Sequence, residues 1–296
     1  MIDPDSVDPV SVDWPQVAQS EYLVHQHVIY EYPVPIEDLR HRLVVIPPRT
    51  HGDQRRLTYL LDVSNPEHQL STHKDPFGNL VVDLSVPRVE RSIEFQAWIV
   101  VERHADRRRH RVGGAWLQDR RLLEATALTR PDDALSAAAA ELMAPGSDAL
   151  ELAGRISTWV HQNVAYERGV TDVRTTAAEA LGLGRGVCQD YAHVMLALCR
   201  LCDIPARYVS GHLLGEGAMH AWVEVLLPSP EDEGDAVAWP FDPTHDRAPA
   251  LSYVTVAVGR DYRDVSPTRG TFRAGSAGYL SSHKCVSVTA LQLRLL

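Results

Sequence analysis

The stretch from Gly184 to Arg207 constrains this chain more than any other. Two glycines flank Arg185, a cysteine follows at position 188, and the residues after it turn helical. Tyr191, Val194, Met195, Leu198 and Leu201 recur at the three- and four-residue spacing of one buried helix face. Pro205 then ends the run. Cys188 is therefore expected at the N-terminus of a buried helix, where free N–H groups and the positive end of the helix dipole favour a thiolate. A thiol held in that way needs only a base to become a nucleophile.

A base is available downstream. Met219 to Pro228 alternates and reads as a strand with His220 at its head. After an acidic, turn-like insertion from Ser229 to Asp235, the residues Ala238 to Thr244 read as a second strand returning antiparallel to the first. Such a hairpin brings Asp242 beside His220, where a carboxylate fixes the imidazole tautomer and steadies the imidazolium. Cys188, His220 and Asp242 form a candidate nucleophile, base and orienter.

Four segments carry a family resemblance. Gly186-Val187-Cys188-Gln189-Asp190, Ile204 to Gly211, His220-Ala221-Trp222-Val223-Glu224 and Phe241-Asp242-Pro243-Thr244 resemble the bacterial transglutaminase-like superfamily and occur in its order. The resemblance implies a papain-like catalytic domain, with the nucleophile helix packed on an antiparallel sheet and the Cys–His–Asp triad at Cys188, His220 and Asp242. Tyr30-Glu31-Tyr32, Pro48-Arg49-Thr50, Gln54 and Asp75-Pro76-Phe77-Gly78-Asn79 resemble the N-terminal region that precedes the catalytic domain in bacterial members. That second resemblance covers most of residues 21–103, with looser motifs.

The same resemblance singles out neighbours of the triad. Tyr166 matches an aromatic position shortly before the nucleophile helix; lining the substrate entrance or donating towards the oxyanion weighs evenly against plain packing. Gln189 can donate to the oxyanion or turn outward, and the backbone N–H of Cys188 is the better donor. Gly259 to Gly270 resembles the segment that closes these domains. Asp261 and Tyr262 are thus candidate substrate contacts, with a structural Asx-turn slightly favoured. Trp222 is expected to pack or to line the pocket. Asp190 and Glu224 are expected as charge partners, with Arg207 as the candidate cation. His193 lies five residues after Cys188, a spacing that rotates it away from the thiol. His212 and His245 rank below His220, because neither heads a strand paired to an Asp-bearing partner.

Composition sets the wider bounds. With 296 residues, the chain suits two domains or one large one. Lys plus Arg number 29 against 39 Asp plus Glu, and the resulting net charge of −10 argues against nucleic acid or an anionic membrane as the main partner. The local basic run Arg107-Arg108-Arg109-His110-Arg111 reads as a solvated loop or strand end. No apolar stretch is long enough to span a bilayer, and Met1 to Ser20 lacks an apolar signal core. The cysteines Cys188, Cys199, Cys202 and Cys285 do not suggest a disulfide framework, which fits a cytoplasmic setting. Cys199 and Cys202 have C-x-x-C spacing inside the expected helix and read as core thiols. His25 and His27 read as a structural or surface pair rather than metal ligands. No calcium-loop pattern occurs, so neither a metal nor an organic cofactor is expected.

Taken in order, residues 1–20 read as a lead-in, 21–110 as an N-terminal antiparallel β-sandwich and 111–296 as the catalytic domain, an α+β fold. Helical texture is expected over 117–144, from a Ser147-Asp148 cap through Val160, and over 177–181. Strands are expected at Val254 to Val258 and Lys284 to Leu293. The function expected is thiol-dependent acyl transfer on peptide or glutamine-type amide bonds through a thioester. A cysteine peptidase or amidase ranks first. An amide-forming, cross-linking transglutaminase is second, and a catalytically silent interaction module is the reading of a different class. The substrate is a peptide or protein, and the β-sandwich offers a surface for a partner protein.

Overall fold

From Ser20 to Val28 every second side chain is buried, and this alternation makes residues 17–31 a long strand with one face on a core. The computed structural model describes residues 11–105, 110–143, 146, 148–232, 234–273 and 277–294. In chain order the first strands are β1 (Val17–Glu31), β2 (Ile36–Leu43), β3 (Thr50–His51) and β4 (Gln54–Val63). They are followed by β5 (Gln69–Lys74), β6 (Leu80–Val89), β7 (Ser92–His104) and β8 (His110–Gly113). A mixed stretch then gives α1 (Arg120–Leu123), α2 (Asp133–Leu142), α3 (Ala149–Asn163), β9 (Ala165–Tyr166), α4 (Ala177–Leu183), β10 (Arg185–Gly186) and α5 (Cys188–Leu201). The last elements are β11 (Ala206–Leu213), β12 (Met219–Pro228), β13 (Asp235–Phe241), β14 (Tyr253–Gly259), α6 (Tyr262–Val265), β15 (Thr268–Arg273) and β16 (Tyr279–Leu293).

Two sheets, ordered β16-β1-β7-β4-β3 and β15-β2-β6-β5, close on a shared core that includes Tyr22, Val24, Ile36, Leu39, Val86, Phe95 and Ile99. This is the sandwich expected for the first part of the chain. Its composition differs from the expectation in one respect. The two C-terminal strands, placed with the catalytic residues in the sequence reading, pair antiparallel with β1 and β2. The physical reason lies in the edges. The fifteen-residue β1 has β7 along one side and needs a partner of equal length along the other, which β16 supplies.

The second five-stranded sheet, β14-β11-β12-β13-β8, is antiparallel throughout. Helix α5 lies between β11 and β12 on one side and α2, α3 and α4 on the other. Its residues from Asp190 to Arg200 are all buried, so it is buried all round rather than along the single face that the spacing predicts. Cys199 is a core thiol, Cys202 is partly exposed, and all four cysteines are unpaired. The helical texture expected over 117–144 is broken into a 3-10 turn (Gly114–Gln118), α1 and α2. Asp119 and Asp132 explain the break: each caps a new helix start through its side chain. Asp148 takes the N-cap position of α3, whereas Ser147 lies outside the described residues. No helix among the described residues is long and apolar enough to cross a membrane.

β14 would present an open edge, and the sandwich covers it with two side-chain amides. Gln54 donates to the Thr255 carbonyl (2.7 Å) and accepts from the Thr255 N–H (2.8 Å). Asn79 does the same at Val258, at 2.7 and 2.8 Å. Each amide thus mimics a neighbouring strand at one residue. Asn79 is itself held by Asp75, whose carboxylate accepts both its side-chain and its backbone N–H. This accounts for the Asp75–Asn79 turn singled out in the sequence. Asn79→Leu, which strands the backbone groups of Val258, is expected to lower the unfolding free energy by about 2–4 kcal/mol in urea titrations. A loss within experimental error of zero would mean that these amides do not hold the two parts together.

Candidate active site

Gly184 ends α4 in the left-handed conformation (φ 64°). β10 then pairs with β9, and Val187 serves as the N-cap that leaves Cys188 as the first residue of α5. Asp190 folds back over this start. Its Oδ2 accepts the Val187 N–H and the Thr171 hydroxyl, each at 2.7 Å. A Cβ on residue 186 would meet the Asp190 side chain at 2.5–2.8 Å, which is why glycine stands there. Burial raises the Asp190 carboxyl above its ordinary pKa. Asp190 is therefore a helix cap and not the expected partner of Arg207. Glu224 is the partner of Arg207, as expected for it, with Arg207 Nε at 2.8 Å and Nη2 at 2.6 Å from its Oε2.

His220 lies on β12, opposite Gly211. Its Nε2 donates to Asp242 Oδ2 at 2.8 Å. The same oxygen accepts from Tyr253 Oη at 2.6 Å and from His245 Nδ1 at 2.9 Å, while Oδ1 accepts the Thr244 N–H at 3.0 Å. The Cys188 thiol lies beside the His220 ring and raises its pKa, while Nδ1 itself is buried without a hydrogen-bond partner. With Nε2 committed to Asp242, Nδ1 is the nitrogen left to face other partners. Burial alone would lower the pKa of His220, but the contacts with Asp242, Cys188 and Glu216 outweigh it and the ring is held well above its ordinary value. Asp242 is lowered against its own burial by His220, His245 and Tyr253. Trp222 stacks on His220 (centroids 6.2 Å apart, 25°) and meets Tyr253 edge-on at 5.5 Å. A side chain at Gly211 would strike the Trp222 ring at 2.5 Å. Trp222 is therefore packing that fixes the imidazole plane.

Two residues of this site were not anticipated. Glu216, in the turn between β11 and β12, sits with Oε2 3.4 Å from His220 Nδ1 and Oε1 3.4 Å from His245 Nε2. Its pairing with those two rings lowers its pKa to about 2. His245, ranked low because it heads no strand, reaches Asp242 from the turn that follows β13. Asp242 and Glu216 raise it to about 9. The usable signal was the Asp-Pro-Thr-His spacing, in which a turn returns the fourth residue to the first.

The remaining expected residues are placed as follows. Tyr166 lies on β9 directly across from Gly186, about half exposed (49%), with its hydroxyl accepting from Arg168 Nε at 3.5 Å. The Gln189 side chain donates to the Asp172 carbonyl at 3.4 Å. Asp261 is buried and caps α6 through the Arg263 N–H at 2.7 Å, the Asx-type role, and Tyr262 packs on the core. His193 accepts from the Tyr262 N–H (3.3 Å), and burial pushes it down to about 3. His212 is buried against Gln26 at the sandwich interface. His25 stacks on Trp98, and His27 bonds Glu94 at 2.9 Å. Of the basic run, residues 107–109 lie outside the described residues. His110 and Arg111 are in β8, and Arg111 pairs with Asp235 at 2.9 Å.

Comparison with known proteins bears on this geometry. Residues 136–242 match the transglutaminase-like superfamily, and residues 22–102 match the bacterial transglutaminase-like N-terminal region. Together the two matches span more than half of the chain, and the chain belongs to the transglutaminase-like superfamily. An uncharacterised protein of Mycobacterium leprae is 34% identical over 166 residues, covering 53% of this chain and 56% of that one. One of Mycobacterium tuberculosis is 32% identical over 155 residues, 49% of each. The chain spans about half the length of the curated relatives it matches. Among solved structures, a "Putative Cysteine Protease from Cytophaga hutchinsonii" superposes with a TM-score of 0.75 at 21% identity over 93% of each chain, which shows a shared fold.

The linked ionisations give a directional test. His245 is raised from 6.5 to about 9, so its protonated form stabilises the fold; that contribution is complete below pH 6.5 and is lost as pH rises through about 9. Glu216 is lowered from 4.5 to about 2, so its contribution is present above pH 4.5 and lost as pH falls through about 2. Glu216→Gln is expected to bring the His245 midpoint down towards 6.5, followed by NMR of the imidazole resonances. A midpoint that stays near 9 would rule out the Glu216 contact as a cause.

Proposed function

We propose that the chain is a thiol-dependent acyl-transfer enzyme acting on peptide or glutamine-type amide bonds, and specifically a cysteine peptidase or amidase. One observation carries this reading: a buried imidazole bonded to a carboxylate at 2.8 Å, with Nδ1 of the same ring unpartnered and a cysteine at a helix start beside it. In the proposed sequence the His220 ring already carries the proton of the thiol, and Cys188 Sγ bonds to the amide carbon as a thiolate. The developing oxyanion is met by the free N–H groups of the first turn of α5, the backbone of Cys188 foremost. The intermediate collapses with cleavage of the C–N bond, and the leaving amine takes the proton from His220. Water then attacks the thioester, His220 receives its proton, and the sulfur leaves as the thiolate. Asp242 keeps the ring in the Nδ1-facing tautomer and balances the imidazolium, with Tyr253 and His245 fixing the carboxylate. A working thiol beside three more unpaired cysteines suits a reducing compartment, so the site of action proposed is the cytoplasm.

Cys188→Ala is expected to abolish turnover of a peptide library, followed by mass spectrometry, with the fold unchanged. Cleavage at the wild-type rate would end the proposal. Asp242→Asn is expected to lower kcat by about 10²–10⁴-fold and shift the pH–rate profile, because the ring loses its tautomer control. Alkylation of Cys188 that is fast in the wild type and slow in His220→Ala separates this reading from an inert module. Products carrying an added primary amine in place of free acid would turn the assignment towards transamidation.

A further inference from the structure

A second convergence of ligating groups lies behind the triad, in a cavity of about 530 Å³ between the sandwich and the second five-stranded sheet. His51 enters from β3, His110 from β8 and Glu224 from β12. His51 Nε2 is 2.8 Å from Glu224 Oε1, His110 Nδ1 is 3.6 Å from the same oxygen, and all three donor atoms lie within 4.8 Å of one another. Atoms bound to one ion at about 2.0–2.2 Å sit roughly 3.0–3.5 Å apart. The arrangement therefore needs shifts of under about an ångström to share an ion.

We propose that His51, His110 and Glu224 bind one divalent transition-metal ion of the zinc class. Two imidazoles with one carboxylate form a nitrogen-rich set that favours zinc or its neighbours over calcium or magnesium. His51 coordinates through Nε2 with its proton moved to Nδ1, and His110 through Nδ1 with its proton on Nε2. Each ligand is held before an ion arrives. Arg207 binds Oε2 of Glu224 and leaves Oε1 directed at the two rings. The guanidinium also opposes a second cation, so the site is weaker than a closed structural zinc centre. Gly52 takes a left-handed conformation (φ 57°), and a Cβ there would sit 3.1 Å from the His110 side chain. Glycine at this position avoids both the left-handed strain and that close approach as the hairpin seats His51 against His110. Gln54, at the other end of that turn, is clamped to Thr255. The ring planes of the two histidines cross at 65° with centroids 4.2 Å apart. The remaining coordination positions face the cavity and take water.

The ion joins the sandwich to the strand that carries the imidazole of the triad. Glu224, Trp222 and His220 alternate along β12 and so share one face, and Trp222 stacks on His220. The site is independent of the acyl-transfer reading, and its test does not use activity. The full chain, stripped with a chelator and dialysed, is titrated with Zn²⁺ by calorimetry and its metal content is measured. One equivalent is expected to bind in the wild type and in His245→Ala. His51→Ala and His110→Ala are each expected to weaken binding by more than about 100-fold, since losses in the outer shell alone reach that. His110 stands on an edge strand, so His110→Ala is the variant whose fold is safest. Zn²⁺ is expected to raise the melting temperature of the wild type and to leave both variants unmoved. Binding retained in both variants and lost in His245→Ala would assign the ion to the triad and overturn the proposal. Failure of the wild type to bind one equivalent would overturn it as well and leave a hydrogen-bonded cluster.

Discussion

The carboxylate of Asp242 is the constraint on which the arrangement of the transglutaminase-like half depends. It is fully buried, and a buried carboxylate left without partners would cost several kcal/mol. Its partners come from three pieces of backbone: His220 from β12, Tyr253 from β14, and His245 and Thr244 from the turn after β13. Charge balance and strand register are therefore the same requirement. A slip of one residue in β12 would turn His220 to the opposite face and leave the oxygen unpaired. The order of the sheet, with β11 and β12 between β13 and β14, follows the need to surround one oxygen from three sides.

The sequence made some of this readable because local chemistry and global fold agree there. Cys188 at a helix start, His220 heading an alternating strand and Asp242 on the returning strand each rest on short-range patterns. Those patterns locate them without reference to the rest of the chain. Glu216 rests on no such pattern, since it acts from a turn whose direction is set by distant packing, and His245 was signalled only by the Asp-Pro-Thr-His turn. Gln189 and Asp261 show the converse. Each sits inside a recognisable motif, but its side chain is committed to a backbone group, Asp172 O for one and Arg263 N for the other. The full enclosure of α5 was also unreadable, because apolar spacing reports one face and cannot say what alanines such as Ala192 and Ala197 will meet.

The two halves share apolar contacts, with Val44 and Val81 in the core around α5 and Leu214 and Val254 in the sandwich core, and polar groups add directional links. Gln54 and Asn79 each bind one residue of β14, Arg103 reaches the Ala250 carbonyl at 2.7 Å, and Tyr22 donates to the Leu251 carbonyl at 2.6 Å. Such contacts are directional, so they set an angle between the parts more strictly than apolar packing does. The cavity holding His51, His110 and Glu224 lies along this seam, and Tyr253 lines it while also bonding Asp242. A disturbance at the seam has a route of two side chains to the imidazole.

Strand β1 must wait for its second neighbour. Val17 pairs with Leu293 and Glu31 with Tyr279, so the outer sheet is completed by a strand separated from β1 by every other strand and helix named above. The helices and sheet that hold Cys188 lie between β7 and β15 in the chain, and their contacts are available first. Closing the outer sheet is thus a late event across a very large loop, entropically slow and dependent on an already ordered middle that brings the ends together. A thiol at the heart of that middle would be enclosed by its own helices before the polypeptide had finished wrapping its outer strands.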